Sequence, residues 1–332
     1  MPVPCRSSPS LSVIVPLFRS AETLGGCLRA LAAQTERDFE VILIDSSPDD
    51  GCSKLVATLD LGDLVVRYTR TAGRMLPQEA RNAGVALARG ELLVFTDPDA
   101  YAAADWLARL RAAHDSTGKP ISGGIACHGN RPVDRSLHLL KFSRWLPVGS
   151  RRPIDMGPTV NLLCSRDAFR QAGGFRGDMM MGDTTFGWEL RRLGIGVVFE
   201  PEAAVAHDHL GIAGALLAER YRRGKRFGVL RARWEGWTAT RCVLQAVASA
   251  VPIRLLTNLV HVAAAARQAG EVSAFVRGLP LLVVGFGASL WGEAVGCLAA
   301  LRGPRAPRES APQVQASPVA AGELPAPAAR RA

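Results

Sequence analysis

The stretch Pro77–Ala100, "PQEARNAGVALARGELLVFTDPDA", carries the fold in miniature. Residues 77–90 read as a helix, with Pro77 near its start where a missing N–H costs nothing. Residues 91–97 read as an apolar strand that runs straight into two carboxylates, Asp97 and Asp99, with Pro98 between them. In an extended chain residues i and i+2 project to the same side. Two carboxylates so placed at a strand end are hard oxygen ligands that could share a divalent cation. Pro98 fixes one backbone dihedral and stiffens the turn. The stretch by itself is equally an Asp-Pro turn with solvated carboxylates.

Outward from it, the same alternation repeats. "LSVIVP" (11–16), "FEVILID" (39–45), "LVVRYT" (64–69) and "ISGGIAC" (121–127) are apolar runs of strand length. Between them lie amphipathic helical stretches, one at 20–35 with Leu24, Cys27, Leu28 and Leu31 on one face and Ser20 as its cap, another at 105–114. Continuous apolar strands alternating with helices predict an α/β fold with a mostly parallel sheet covered on both faces. Ligands of such sheets bind at the carboxyl ends of strands. Phe18, Asp45 and Asp97 all fall at or just past such ends.

The 332-residue chain carries a net charge of +10, almost wholly from arginine. That charge suits nucleic acid, anionic lipid or phosphorylated substrates. No recognition helix, zinc finger or RNA-binding sheet motif is present, and much of the arginine lies beside apolar stretches, which suits lipid; no nucleic-acid partner is expected. The seven cysteines are scattered and never paired as C-x-x-C, so they read as reduced small hydrophobes rather than a disulfide framework or zinc site. The first residues lack the charged and apolar regions of a signal peptide.

After about residue 210 the character changes. A basic segment interleaved with Leu, Tyr, Phe and Trp (216–237) precedes two apolar stretches, 242–266 and 279–301. The first is interrupted by Gln245, Pro252, Arg254, Asn258 and His261, the second mainly by Glu293. A helix needs about 20 apolar residues to cross a bilayer, so the stretches read either as a spanning hairpin or as two buried or interfacial helices. The arginines at 220–241 would put both ends of a hairpin on the cytoplasmic side, and they suit an anionic membrane surface in either case. Residues 303–332, rich in Pro, Ala and Arg, are expected to be disordered. The expected organisation is an α/β domain over 10–210, a basic amphipathic connector over 211–241, a membrane-associated or membrane-spanning helical hairpin over 242–302 and the tail.

"EARNAGVALARGELLVFTDPDA" closely resembles the segment ending in the D-x-D of family 2 glycosyltransferases: Arg-Asn-x-Gly in a helix, an Ala-x-Gly-Glu turn, a strand, then D-x-D. The resemblance extends in the right order through "LSVIVPLF", "FEVILIDSSPDDG", "NLLCSRDAFRQAGGF" and "GIGVVFEPEAAVAHDH", about residues 10–210. It implies a GT-A fold and transfer of a hexose from a nucleotide-sugar (UDP- or GDP-linked), with inversion and with a divalent metal, Mn2+ or Mg2+. Carried over position by position, it implies Phe18 against the nucleobase, although the family's usual tyrosine is replaced and the following Asn is Arg19. It implies Asp45 as a base contact, with Ser46 where a second Asp is usual, and Asp50 as a helix cap. Arg81 would lie near the diphosphate, a setting that suits a guanidinium; otherwise it is a solvated helix face. Asp97 and Asp99 would hold the metal, with His207 as a third ligand and His209 a weaker candidate. The catalytic base would be Asp183, although its usual acidic neighbour is Gly182 and Glu189 stands where arginine is common; Asp178 is the reserve. With the membrane reading, this implies an acceptor that is lipid-linked or delivered at the cytoplasmic face. The missing acidic neighbour keeps open a second reading, a nucleotide-sugar-binding or scaffold protein with a decayed site.

Overall fold

The computed structural model describes residues 8–176, 181–209 and 213–301. The reserve base Asp178 and the tail 303–332 lie outside the described residues. The elements are β1 (Leu11–Leu17), α1 (Ala21–Ala32), β2 (Phe39–Asp45), α2 (Gly51–Thr58), β3 (Val65–Arg70), α3 (Pro77–Leu87), β4 (Leu92–Thr96), β5 (Ala100–Ala102), α4 (Trp106–Thr117), β6 (Ile121–Cys127) and α5 (Pro132–Phe142). Then come β7 (Arg152–Ile154), β8 (Asn161–Ser165), α6 (Arg166–Gln171), α7 (Gly182–Arg192), β9 (Val197–His207), α8 (Ala213–Trp234), α9 (Ala239–Ala250), α10 (Pro252–Gln268) and α11 (Val272–Ala299). They form two compact units: the first takes in the described residues to 125 together with 149–207, the second 126–148 together with those from 208 on. Residues 126–148, inside the expected 10–210 domain, therefore group with the C-terminal helices.

The first unit is a mixed α/β sheet in the order β3-β2-β1-β4-β8-β6-β9-β5, with β7 on β9. Strands β3, β2, β1 and β4 are parallel. The expected parallel sheet holds for these four. Beyond β4 the sheet turns antiparallel: β8 runs against both β4 and β6, and β9 against both β5 and β7. β5 and β7 are three residues each, too short for any alternation of apolar and polar residues to show in the sequence. β1 and β2 are buried almost end to end, as strands covered on both faces must be.

The glycines of the two turn motifs are explained by close approach. A Cβ at Gly84 would lie 2.5 Å from Ile14 Cγ2, and one at Gly90 would lie 2.6 Å from the Leu11 carbonyl carbon. Only glycine lets α3 and the turn after it sit this near β1. Asn82 of the same motif clasps the loop before α7: its Nδ2 donates to the Phe175 carbonyl at 2.6 Å and its Oδ1 accepts the Phe175 N–H at 3.1 Å. Phe175 in turn anchors an aromatic cluster with Phe95, Phe169 and Phe186, with centroid separations of 4.9, 5.3 and 4.9 Å respectively, the offset and edge geometries that aromatic rings prefer.

The second unit is helical. α8 and α11 meet at two G-x-x-x-G faces, Gly224 with Gly228 and Gly292 with Gly296. A Cβ on any of them would lie within 1.9–2.4 Å of a carbonyl oxygen of the other helix, so the two backbones are in direct contact. α5 packs on α11 over Gly278 and Gly285, and Leu137, Leu140, Leu216, Val262 and Leu282 fill the core between them. The first apolar stretch is not one helix. Pro252 begins α10, and α9 and α10 meet at a bend of 59°. Three of the polar residues that interrupted the two apolar stretches satisfy one another: Arg254 makes a two-pronged pair with Glu293 at 3.0 and 3.1 Å, and Gln245 donates to the same carboxylate.

Candidate active site

Parallel strands β1, β2 and β4 end side by side, and their last residues deliver the site. Phe18 follows β1 and is partly exposed, with the Arg74 guanidinium 4.6 Å from its ring centroid. Arg19 next to it is left-handed at φ 53°, a conformation that asparagine tolerates better than arginine. Ser20 sits at the N-cap position of α1 without a capping bond. Its hydroxyl instead accepts the Phe18 N–H at 3.2 Å, so it shapes the turn that presents Phe18.

Asp45 ends β2 fully buried. One oxygen accepts the Ser47 N–H at 2.8 Å and the other the Tyr68 hydroxyl at 2.5 Å. Burial and that bond push the Tyr68 hydroxyl far above its ordinary range. Asp50 is also at an N-cap position, but its carboxylate pairs with Lys54 at 2.9 Å. The neighbouring Asp49 accepts the Gly51 N–H instead, a correction to the capping expected of Asp50.

Asp97 and Asp99 leave β4 and lead into β5. β5 pairs antiparallel with β9, and Ala100 is opposite His207. This register brings the histidine at the end of the last strand beside the D-x-D. His207 Nε2 lies 3.5 Å from an Asp99 oxygen. One ligand atom each of Asp97, Asp99 and His207 lies within 4.8 Å of the other two. His209 belongs to a different group, with Cys127 and His138.

Cys27 of α1 backs the D-x-D, its thiol donating to the Asp97 carbonyl at 3.6 Å. Burial, with the charges of Asp99 and Asp97 adding, pushes its pKa up to about 12. The thiolate is the reactive form, and a raised pKa keeps the proton on at all lower pH. At about pH 9 only about a thousandth of Cys27 is ionised, against most of an ordinary cysteine. Alkylation at that pH should therefore leave Cys27 unmodified in the folded protein and label it once the chain is denatured, as read by peptide mass spectrometry.

Arg81 is not on a solvated helix face. It is buried on α3, and its guanidinium pairs with the Asp97 carboxylate. Its Nε and the Oε1 of Gln78, one turn earlier on the same helix, are buried without a hydrogen-bond partner among the described residues. Buried polar atoms are satisfied in the great majority of cases, so an orphan on Arg81 beside the D-x-D, with a second on Gln78 one turn along α3, fits a site completed by a polar ligand. Gln78 also faces the start of α7: a Cβ at Gly182 would lie 2.8 Å from Gln78 Cγ.

Asp183 stands in the first turn of α7, where negative charge is favoured. It is not the cap. That position is Met181, a non-glycine residue at φ 85°, a strained conformation of the kind that clusters at functional sites. Asp183 Oδ1 accepts the Thr184 N–H at 2.8 Å. Glu189, further along α7, is taken up by Arg192.

Tyr68, Arg74 and Gln78 were not singled out from sequence, and Cys27 read only as part of an apolar helix face. Only Tyr68 had a signal, a polar tip near the carboxyl end of the strand next to β2. The others depend on which helix faces which strand end.

Residues 12–171 match the family model described as glycosyl transferase family 2. Glycosyltransferase AglE of Haloferax volcanii is 25% identical over 228 residues, 65% of this chain and 72% of the relative. The pre-mycofactocin glycosyltransferase of Mycobacterium tuberculosis is 29% identical over 210 residues, 60% of this chain but only 43% of the relative. Among solved structures, the mannosyltransferase PcManGT of Pyrobaculum calidifontis, in complex with GDP-Man and Mn2+, superposes with a TM-score of 0.54 at 21% identity. That match covers 90% of this chain and 87% of the other. The likeness is one of fold, and the fold is GT-A.

Proposed function

From the match of residues 12–171 to the glycosyl transferase family 2 model, we propose that this chain is an inverting hexosyltransferase that uses a UDP- or GDP-linked sugar and a membrane-delivered acceptor hydroxyl. The observation that carries the reading is the Asp97–Asp99–His207 group at the strand ends, with the orphaned Arg81 and Gln78 atoms behind it. Asp97, Asp99 and His207 would hold a divalent cation, Mn2+ or Mg2+. Such an ion, when bound, neutralises charge on a departing diphosphate.

The chain's own residues then divide the work. Phe18 offers a ring face to the base, with Arg74 beside it. Asp45, its oxygens committed to Ser47 and Tyr68, acts on the base side by fixing the turn that shapes it. Arg81 holds the Asp97 carboxylate in place for the diphosphate. Asp183 takes the proton from the acceptor hydroxyl as the oxygen attacks the anomeric carbon.

The membrane part of the reading rests on the second unit. α11 is long and apolar enough to cross a bilayer, and 44% of its apolar window is buried. Val243, Leu244, Ile253, Leu256, Val260 and Trp291 add exposed apolar surface. α8 turns Gly224, Gly228 and Ala232 inward and Arg222, Lys225, Arg226 and Arg233 outward. A basic, outward-facing helix beside exposed apolar surface suits the anionic cytoplasmic face of a membrane.

One observation favours a second reading, donor binding without turnover. Gly182 leaves no room for an acidic neighbour to Asp183, because any side chain there meets Gln78. The two readings separate in one experiment. A screen of nucleotide-sugars for manganese-dependent binding identifies the donor, and transfer to membrane lipid extract is then compared for the native chain and Asp183→Asn. Loss of transfer by about 10²-fold or more with donor binding retained supports the base. Binding with no turnover by the native chain on any acceptor supports the alternative.

A further inference from the structure

Outside the D-x-D site, the described residues of the second unit bring together three ligand-type side chains that are far apart in sequence. Cys127 ends β6, His138 lies mid-way along α5, and His209 follows β9. One ligand atom of each lies within 4.8 Å of the other two. His138 Nδ1 and His209 Nε2 face each other at 2.9 Å. Both imidazoles are buried, and Cys127 is half-buried.

The spacing suits a single small cation. A tetrahedral zinc ion sits about 2.0–2.3 Å from nitrogen and sulfur ligands, which places those ligands about 3.3–3.6 Å from one another. The two imidazole nitrogens are slightly closer than that and the whole group lies inside 4.8 Å, so small side-chain rotations suffice. Asp134 of α5, buried and paired with Arg131, lies near His209.

We propose that Cys127, His138 and His209 form a second metal site, selective for zinc, that staples the end of β6, α5 and the segment after β9 within the second unit. Its ligand set is one thiolate and two imidazoles, the soft-to-borderline donors that zinc takes. The D-x-D group, with two carboxylates and one imidazole, is hard and suits manganese or magnesium. The chain thus offers two sites that sort metals by ligand chemistry. Binding at the second releases the Cys127 thiol proton and requires both imidazoles neutral. A fourth position falls to water or to a nearby side chain on the half-buried Cys127 side, as in sites with three protein ligands.

The proposal is independent of the glycosyltransferase reading, and its test uses sulfur as a reporter that the D-x-D site lacks. The full chain is purified in detergent without chelator, dialysed, and its zinc content measured. It is then stripped and titrated with Co2+ alone. One retained zinc per chain is expected, together with a thiolate-to-cobalt charge-transfer band and the strong visible bands of a tetrahedral site. Cys127→Ser should lose the charge-transfer band, and His209→Gln should lose the tight zinc. Asp99→Asn should keep both. Absence of zinc and of the sulfur band in the native chain, folded by circular dichroism, would overturn the proposal even if neither variant folds. So would a band that survives in Cys127→Ser.

Discussion

Asp97→Ala is expected to abolish metal-dependent use of a nucleotide-sugar and also to weaken the fold. Outer-shell partners of a metal site cost about 10–100-fold when removed, so loss of a direct ligand should cost at least about 100-fold in donor turnover. The second effect comes from Arg81. Its side chain is 4% exposed and that of Asp97 is 26% exposed, so the variant leaves a buried guanidinium without its carboxylate. Breaking a buried pair on one side costs about 3–5 kcal/mol, and the partial exposure of Asp97 puts this pair at or below about 3 kcal/mol. Asp99 pairs instead with His207. Asp99→Ala should therefore match the loss of turnover with a smaller fall in melting temperature. Turnover retained in both variants would remove the D-x-D from the chemistry; equal destabilisation by both would remove the special role of Arg81. Steady-state donor hydrolysis and thermal unfolding, run side by side, read the two effects separately.

Gly292→Ala should be the most damaging single-methyl change in the second unit. Its Cβ would lie 2.2 Å from the Tyr221 carbonyl oxygen and 2.8 Å from the Lys225 nitrogen. Both are backbone atoms, so α8 and α11 must move apart. Alanine is worth about 1 kcal/mol more than glycine in a helix interior, and overpacking costs about 1–3 kcal/mol and sometimes more. Here the clash is with backbone on both sides, so the overpacking cost wins. The control lies on the same helix. A Cβ at Gly287 meets nothing within 4 Å, and Gly287→Ala should stabilise by about 0.5–1 kcal/mol from propensity alone. Melting temperatures in detergent should therefore move in opposite directions. Stabilisation by both variants would mean that the helices do not touch at Gly292.

The α/β class and the strand ends that carry Phe18, Asp45 and Asp97 were legible in the sequence because buried parallel strands read as unbroken apolar runs. The antiparallel half of the sheet was not, because β5 and β7 hold three residues each. Yet β5 is what sets Asp99 against His207. Arg81 shows a different limit. A helical arginine reads as surface, and only the fold reveals that its helix turns it inward onto Asp97. The G-x-x-x-G pairs of α8 and α11 were in plain view, but four-residue glycine spacing has meaning only once a partner helix is known. Cys127 was set aside because no second cysteine lies near it in sequence. Its neighbours, His138 and His209, come from segments that only the fold brings together.

In the proposed function, Asp97, Asp99 and His207 bind a divalent cation that serves a nucleotide-diphosphate sugar. Manganese electron paramagnetic resonance tests it most directly, on the full chain first alone and then with UDP- and GDP-sugars. Bound Mn2+ should appear or tighten with one of these donors, be lost in Asp99→Asn, and persist in Asp183→Asn. Mn2+ binding that ignores every donor, or that is unchanged in Asp99→Asn, would contradict it.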